Sequence, residues 1–499
     1  MSVDDMLAHF SGLEWDGLQH EWAMTIVGTG SDADRAIPEG STLVRLWRDE
    51  RYHIQGELTG TVADESDLRH DVISSTMVPP LTLHGMDIGG SDYALLSAFS
   101  NGTTMRGRDD GARYPFQMRL SHVRVRRVIP VPDSTQPRVR WLTEWYLNGP
   151  RSSDIFGRVT NRDITHDYIR SREVSLLKAP EIGYDSTACD YAFIRSETYS
   201  FVIHEVPRDF GPSWSRNIGI EYRPEWGGIP TPDERVALAE LVGFVLGRRL
   251  LNVGYTEYDE TGHPIAQYAT YPLTTDTVTI CSADANPPLN ISKYQGGQDI
   301  ETLLPPLIPV YMQWRGPLRL EDAMWRYVVA RELPSGVDLP VVAAAVEGIA
   351  DAWLTLNDVS TNYLDKTEFK RILRDELSSM KRKLKHIPYH DSIIGKMHLA
   401  NQMGGGETLR LFFDRVGLKT GPFEKKAMQE RNNMAHGSPA LPKDIVELER
   451  VIRFHITYEV LFERLLLKLL KYDGTYVDRS TPHCPQKHID EPQTGVVIE

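Results

Sequence analysis

Arg431 and His436 stand five residues apart in the run RNNMAHG, where a helical pattern opened by Pro422 is stopped by Gly437 and Pro439. An imidazole near its unperturbed pKa of ~6.5 exchanges protons at neutral pH. A guanidinium is a permanent, forked cation that fits phosphate oxygens. Together they suit acid–base chemistry at a phosphate ester, with His436 carrying the proton and Arg431 holding the charge that develops on the phosphate. Asn432 beside the arginine can orient either partner by hydrogen bonds, although a solvated helix residue would look the same. Spacing alone is not specific, because Arg48–His53 and Arg450–His455 repeat it. Arg48 lies among strand signals, where such a step sends side chains to opposite faces of a pleat. His455 falls on the apolar stripe of the last helix, as a hydrogen-bonded core histidine would. On an ideal helix Arg431 and His436 point ~140° apart, so a second surface must complete any site they form.

The elements that would carry these residues follow from periodicity. Up to about residue 230 the chain is short, alternating and β-branched, as in LVRLW (43–47), YHIQGEL (52–58), FQMRLSHVRVRRVIPV (116–131) and RWLTEWYL (140–147). Turn signals at Gly89-Gly90, Asn101-Gly102 and Asn148-Gly149-Pro150 separate them. Residues 1–230 therefore read as a sandwich- or barrel-like β region whose strands keep one solvated face. Residues 231–315 read as an α/β extension and linker: a helix capped by Thr231 and followed by Gly254, strands IAQYATYP and TVTIC, and a Pro-rich boundary at 305–316. From 316 to 475 apolar residues recur at helical spacing in seven runs, ending in a long final helix, which predicts an up-and-down bundle. Residues 476–499 read as a flexible tail. The class is α+β multidomain, β-rich first and all-α after.

Charge separates the same parts. The chain carries −14 overall, yet Arg315 to Asp473 holds 25 Lys+Arg against 22 Asp+Glu, leaving 30 against 47 elsewhere. Only the helical part is suited to approach a phosphate backbone. Its basic residues Lys381, Arg382, Lys383 and Lys385, with Lys425 and Lys426, are the candidate phosphate-tracking surface, the alternative being a solvated helix face. Glu424, with Lys425 and Lys426, reads either as a charge relay ahead of the arginine or as helix-surface ions, Glu424 favouring the first turn. Cys189, Cys281 and Cys484 are isolated, so a disulfide framework or four-thiolate metal site is not expected. His483, Cys484 and His488 lack a fourth zinc ligand, and neither metal nor cofactor is expected. The acidic N-terminus and the lack of a long apolar run predict a cytoplasmic protein without a membrane partner. P-loop, Gly-x-Ser-x-Gly and His-Glu-x-x-His signatures are missing from the sequence.

The Arg–Asn–x–x–x–His run in an all-helical domain closed by a long helix resembles the HEPN superfamily of ribonucleases. Gly437 and the run KYDGTYVD after the last helix look most like the HEPN domain of ApeA-type anti-phage proteins. The resemblance covers about 160 residues; the N-terminal region matches that family only in outline, with PLTLHG the nearest stretch. It implies a homodimer that joins two copies of the segment across a cleft, with Arg431, His436 and Asn432 catalytic and RNA the substrate. It implies cleavage through the 2′-hydroxyl to a 2′,3′-cyclic phosphate and a 5′-hydroxyl. It further implies abortive-infection defence acting on host RNA, transfer RNA among the candidates, with a phage-derived trigger sensed by the N-terminal region. The competing expectation is a non-catalytic HEPN dimerisation or binding module of toxin–antitoxin type, with Arg431 and His436 holding helices together.

Overall fold

The computed structural model describes residues 22–29, 40–63, 82–87, 90–105, 113–130, 139–150, 155–158, 161–162, 169–172, 175–178, 191–206, 212, 214–259, 264–274, 276–283, 285–292, 296–334, 337–435 and 443–495. The chain divides into two compact units, one of residues 1–287 with 291–308 and the other of 288–290 with 309–499.

In the first unit, alternating strands close a barrel. Strands β1 (Trp22–Thr29), β2 (Ser41–Arg48), β3 (Ile54–Val62), β4 (Leu83–Met86), β5 (Asp92–Met105) and β6 (Tyr114–Val128) run in the order β6-β3-β2-β1-β4-β5. β5 then pairs back onto β6, so the ring has no open edge. Alternation in β3 and β6 turns Ile54, Leu58, Phe116, Met118 and Leu120 inward. Gly60 is required there, because a Cβ would lie 2.3 Å from the Gly40 carbonyl oxygen.

β6 is long enough to serve a second sheet. Through β15 (Pro264–Ala269) it continues into β14 (Leu251–Tyr258), β7 (Trp141–Leu147), β13 (Ile218–Tyr222), β12 (Ser200–Glu205) and β11 (Tyr191–Arg195). A small separate sheet joins β8 (Asn161–Arg162), β9 (Ile169–Arg172) and β10 (Ser175–Lys178). Every residue of β7 is buried, so this strand lacks the solvated face its sequence suggests. Its Glu144 is neutralised inside by Arg235 at 2.8 Å, from helix α1 (Pro232–Val245). Thr231 and Glu234 form the capping box that starts α1. The helix stops at Val245 rather than near Gly254. Gly254 instead sits in β14 at φ +145°, where a Cβ would meet the Tyr268 carbonyl oxygen at 2.0 Å.

Two further expectations are corrected. TVTIC is not a strand but the short helix α2 (Thr277–Ser282), because the Asp276 carboxylate accepts the Thr279 amide and caps it. The Pro-rich stretch is not an irregular linker but helix α3 (Ile300–Trp314), and the division between the units falls within it. Leu304, Leu307, Ile308 and Tyr311 are buried along α3, and their packing outweighs the backbone bonds that Pro305, Pro306 and Pro309 cannot donate.

The second unit is helical: α4 (Leu320–Ala330), α5 (Asp338–Leu356), α6 (Lys366–Ile372), α7 (Arg374–Leu384), α8 (His390–Leu399), α9 (Gly405–Val416), α10 (Pro422–Ala435) and α11 (Ile445–Leu469). α5 is the hub, packing against α4, α9, α10 and α11. It is long and apolar enough to cross a membrane by length and composition, and Val342, Val346, Ile349 and Leu354 lie buried within the unit.

The expected flexible tail is folded over most of its length. β16 (Thr475–Val477) and β17 (Gln486–His488) form a hairpin, and Tyr476, Asp478, Ile489 and Gln493 are buried. Its polar groups complete charges that the helices bury. Arg479 pairs with Glu463 at 2.7 Å and Glu459 at 3.4 Å, and Gln493 donates to Glu424 at 3.1 Å. Within the hairpin, Lys487 holds Asp478 at 2.7 Å.

Candidate functional site

Arg431 lies in the last turns of α10, with its side chain about one-fifth exposed and its guanidinium ion-paired to Glu347 of α5. Burial raises the Glu347 carboxyl above its ordinary range, against the opposing pull of Arg431. Tyr458 of α11 stands in the same field: burial first, then the Glu347 charge, pushes its phenol up, while Arg431 draws it down. The Tyr458 hydroxyl is buried and makes no hydrogen bond among the described residues. Three helices thus converge on one guanidinium that still reaches solvent. Glu347 is the carboxylate partner of that guanidinium, and the pair leaves the Arg431 side chain about one-fifth exposed.

Asn432 continues the α10 helix, and His436 falls outside the described residues. Lys425 and Lys426 are exposed on α10 and make no ion pair among the described residues. Lys381, Arg382, Lys383 and Lys385 are likewise exposed, the first three on α7, a helix that buries no residue. The basic series is therefore exposed: Lys425 and Lys426 share α10 with Arg431, while no contact joins Lys381, Arg382, Lys383 or Lys385 to it among the described residues. Glu347 and Tyr458 escaped the sequence reading. The available signal for Glu347 was its isolation, a lone charge in the apolar run VVAAAVEGIA.

Glu424 differs from its expected role. It is fully buried, accepts the Gly421 amide at 2.5 Å and pairs with the buried Arg464 of α11. Burial pushes its carboxyl up despite Arg464. It is a structural ion.

The two repeats of the spacing are also structural. Arg48 donates to the carbonyls of Tyr52 at 2.7 Å, Thr270 at 2.9 Å and Val253 at 2.9 Å. His455 is nearly buried, with Nε2 at 3.0 Å from Glu459 and Nδ1 at 3.3 Å from Asp338. Arg331 approaches Glu459 at 3.7 Å, and Tyr327 donates to Glu463, joining these groups into one buried network. Burial alone would lower the His455 pKa, but the Glu459 hydrogen bond and the Glu459 and Asp338 charges outweigh it and raise the value. Burial likewise works against the Glu459 anion, and His455, Arg331 and Arg479 overcome it, bringing its pKa to about 2.

The network gives a pH signature. A raised folded value makes the His455 contribution complete below its unfolded pKa of ~6.5 and lost as pH rises through the folded value. The lowered Glu459 value makes its contribution present above its unfolded pKa of ~4.3 and lost as pH falls through about 2. Urea midpoints followed by circular dichroism should therefore decline on both sides of a plateau between about pH 5 and 6.5. His455→Gln should flatten the alkaline side, and an identical alkaline decline in that variant would assign it to other groups.

No protein-family model matches the chain, and neither curated proteins nor solved structures yield a significant match to it.

Proposed function

We propose that the helical unit is a metal-independent endoribonuclease of HEPN type. The observation that carries this reading is the Arg431 guanidinium, held part-exposed by Glu347 near the end of α10, with His436 following it in sequence. In the proposed reaction a ribose 2′-oxygen attacks the adjacent phosphorus and the 5′-oxygen leaves. His436 takes or returns the proton, and the partner copy's site supplies the complementary group. Arg431 displaces Glu347 for the phosphate and stabilises its developing charge. Asn432 assists by orientation. Lys381, Arg382, Lys383, Lys385, Lys425 and Lys426 would track the RNA backbone. DNA, which lacks the 2′-hydroxyl, should remain intact.

The helical domain and the Arg–Asn–x–x–x–His run support placing the chain beside the ApeA-type defence proteins, as a cytoplasmic homodimer that degrades host RNA when the β-rich region meets a phage-derived trigger. The charge partition fits restraint of a positive cleft by an acidic region. A second reading has its own support: the Arg431–Glu347 pair ties α10 to α5, as a non-catalytic HEPN module would require.

The test is end chemistry. Purified protein is incubated with total cellular RNA in EDTA, and RNA is also taken from cells expressing the protein during phage exposure. Fragments ending in 2′,3′-cyclic phosphate and 5′-hydroxyl are expected. Intact RNA under both conditions would leave the binding-module reading in its place.

A further inference from the structure

The outer face of β6 carries a feature that neither the barrel nor the helical unit requires. His122 adopts φ +51°, the left-handed region, in the middle of a strand. For a side chain bearing a Cβ this conformation is costly and is kept where the surroundings impose it. It coincides with register shifts between β5 and β6 on either side of Phe99. The result is an exposed imidazole inside a group of rings: Tyr271 at 5.1 Å, His53 at 6.2 Å and Phe99 at 6.4 Å, centroid to centroid. Phe99 is itself 41% exposed, so the rings are not simply core.

A cation completes the group. Arg124, two residues along the same outward face, stacks over Tyr271 at 5.7 Å. Its Nε is buried and makes no hydrogen bond among the described residues. The surrounding charges are already engaged: Arg126 with Glu257 at 3.9 Å, Arg127 with Asp87 at 3.3 Å, and Arg48 with backbone carbonyls. The carboxylate of Asp49 is taken by the amides of Arg51 and His53 and by Gln55.

We propose that this patch binds a mononucleotide, its base packed against Tyr271, His122 and Phe99 and its phosphate on Arg124. Exposed rings, here His122 and Phe99 with the part-exposed Tyr271 between them and Arg124, take a nucleobase. Arg124 makes no ion pair among the described residues, and a guanidinium takes a phosphate as a forked donor. A neutral sugar fits less well, since the Asp49 carboxylate beside His53 is already engaged. A nucleic-acid strand fits less well too. One cation serves one phosphate, and the sequence outside the helical part carries 30 Lys+Arg against 47 Asp+Glu, which repels a polyanion.

The full chain is titrated calorimetrically with AMP, GMP, CMP and UMP, and with adenosine, inorganic phosphate and an oligoadenylate as comparisons. His122→Gly removes the ring and relieves the backbone, and Arg124→Met keeps the stem over Tyr271 but not the charge. Both should retain the wild-type circular dichroism spectrum. At least one mononucleotide should bind, with affinity falling about tenfold or more in each variant, the weight of one charge-assisted contact or one stacked ring. Adenosine and phosphate should each bind more weakly than the mononucleotide. The proposal is overturned if none of the four mononucleotides binds, if both variants bind like wild type, or if the oligoadenylate binds more tightly than its nucleotides do singly.

Discussion

His436→Ala and Arg431→Ala should each lose RNA cleavage by about 10²–10⁴-fold, the range for removing a general acid–base group or a donor to a developing oxyanion. The two losses should not multiply in the double variant, since groups acting in one transition state fail together. Arg431→Lys should recover little, because a point charge does not reproduce the planar fork. Stability should hardly change, for the Arg431–Glu347 pair is part-exposed and such pairs contribute about 1 kcal/mol or less. Glu347→Gln separates the readings. If Arg431 is there to meet a phosphate, removing the competing charge leaves RNA binding intact or tighter, measured by filter binding in EDTA. If Arg431 only ties α10 to α5, Glu347→Gln and Arg431→Ala should lower the urea midpoint alike and cleavage should be absent throughout.

How much of this was legible in the sequence depends on the range of the interactions involved. Helices α4, α5, α9, α10 and α11 follow from local apolar spacing and from short loops with Gly, Pro or Asp, so the helical character of residues 320–469 was readable. Strand character in β2, β3, β6 and β7 was readable by alternation. Barrel closure was not, because the return of β5 onto β6 is a non-local pairing that neither strand's pattern encodes. Burial of both faces of β7 depends on α1 supplying Arg235 for Glu144, a partner 91 residues away. The prolines of α3 argue locally for a linker and are overruled by six buried apolar side chains, Ile300, Leu303, Leu304, Leu307, Ile308 and Tyr311. The terminal segment, polar and Pro-broken, looks mobile by composition, yet it is the counterpart that buried Arg464, Glu424 and Glu463 require. At the candidate site, Arg431 and Asn432 were found by motif, while Glu347 and Tyr458 come from helices distant in sequence and emerge only when α5, α10 and α11 pack.

Arg464→Leu should lower stability by about 3–5 kcal/mol, because it removes one member of a buried ion pair and leaves the other uncompensated. Arg464 and Glu424 are both fully inaccessible. Arg464 also donates to the carbonyls of Lys419 at 3.1 Å and Ile489 at 2.9 Å, and its guanidinium lies 5.0 Å from the Tyr476 ring centre. The substitution therefore strips a carboxylate and two carbonyls of their donor at once, and it loosens the terminal hairpin from α10 and α11. Glu424→Gln removes the charge and keeps one acceptor oxygen where the carboxylate uses two, one for Gly421 and one for Arg464 and Gln493, so it too should lower stability. The double variant restores neutrality, so its loss should be smaller than the sum of the single losses by at least about 1 kcal/mol. Urea unfolding gives the energies, and limited proteolysis near residues 474–495 reports the hairpin. An Arg464→Leu loss below about 1 kcal/mol, with the hairpin still protected, would mean that apolar packing of Tyr476 and Ile489 holds the terminal segment and that the buried charges only set its register.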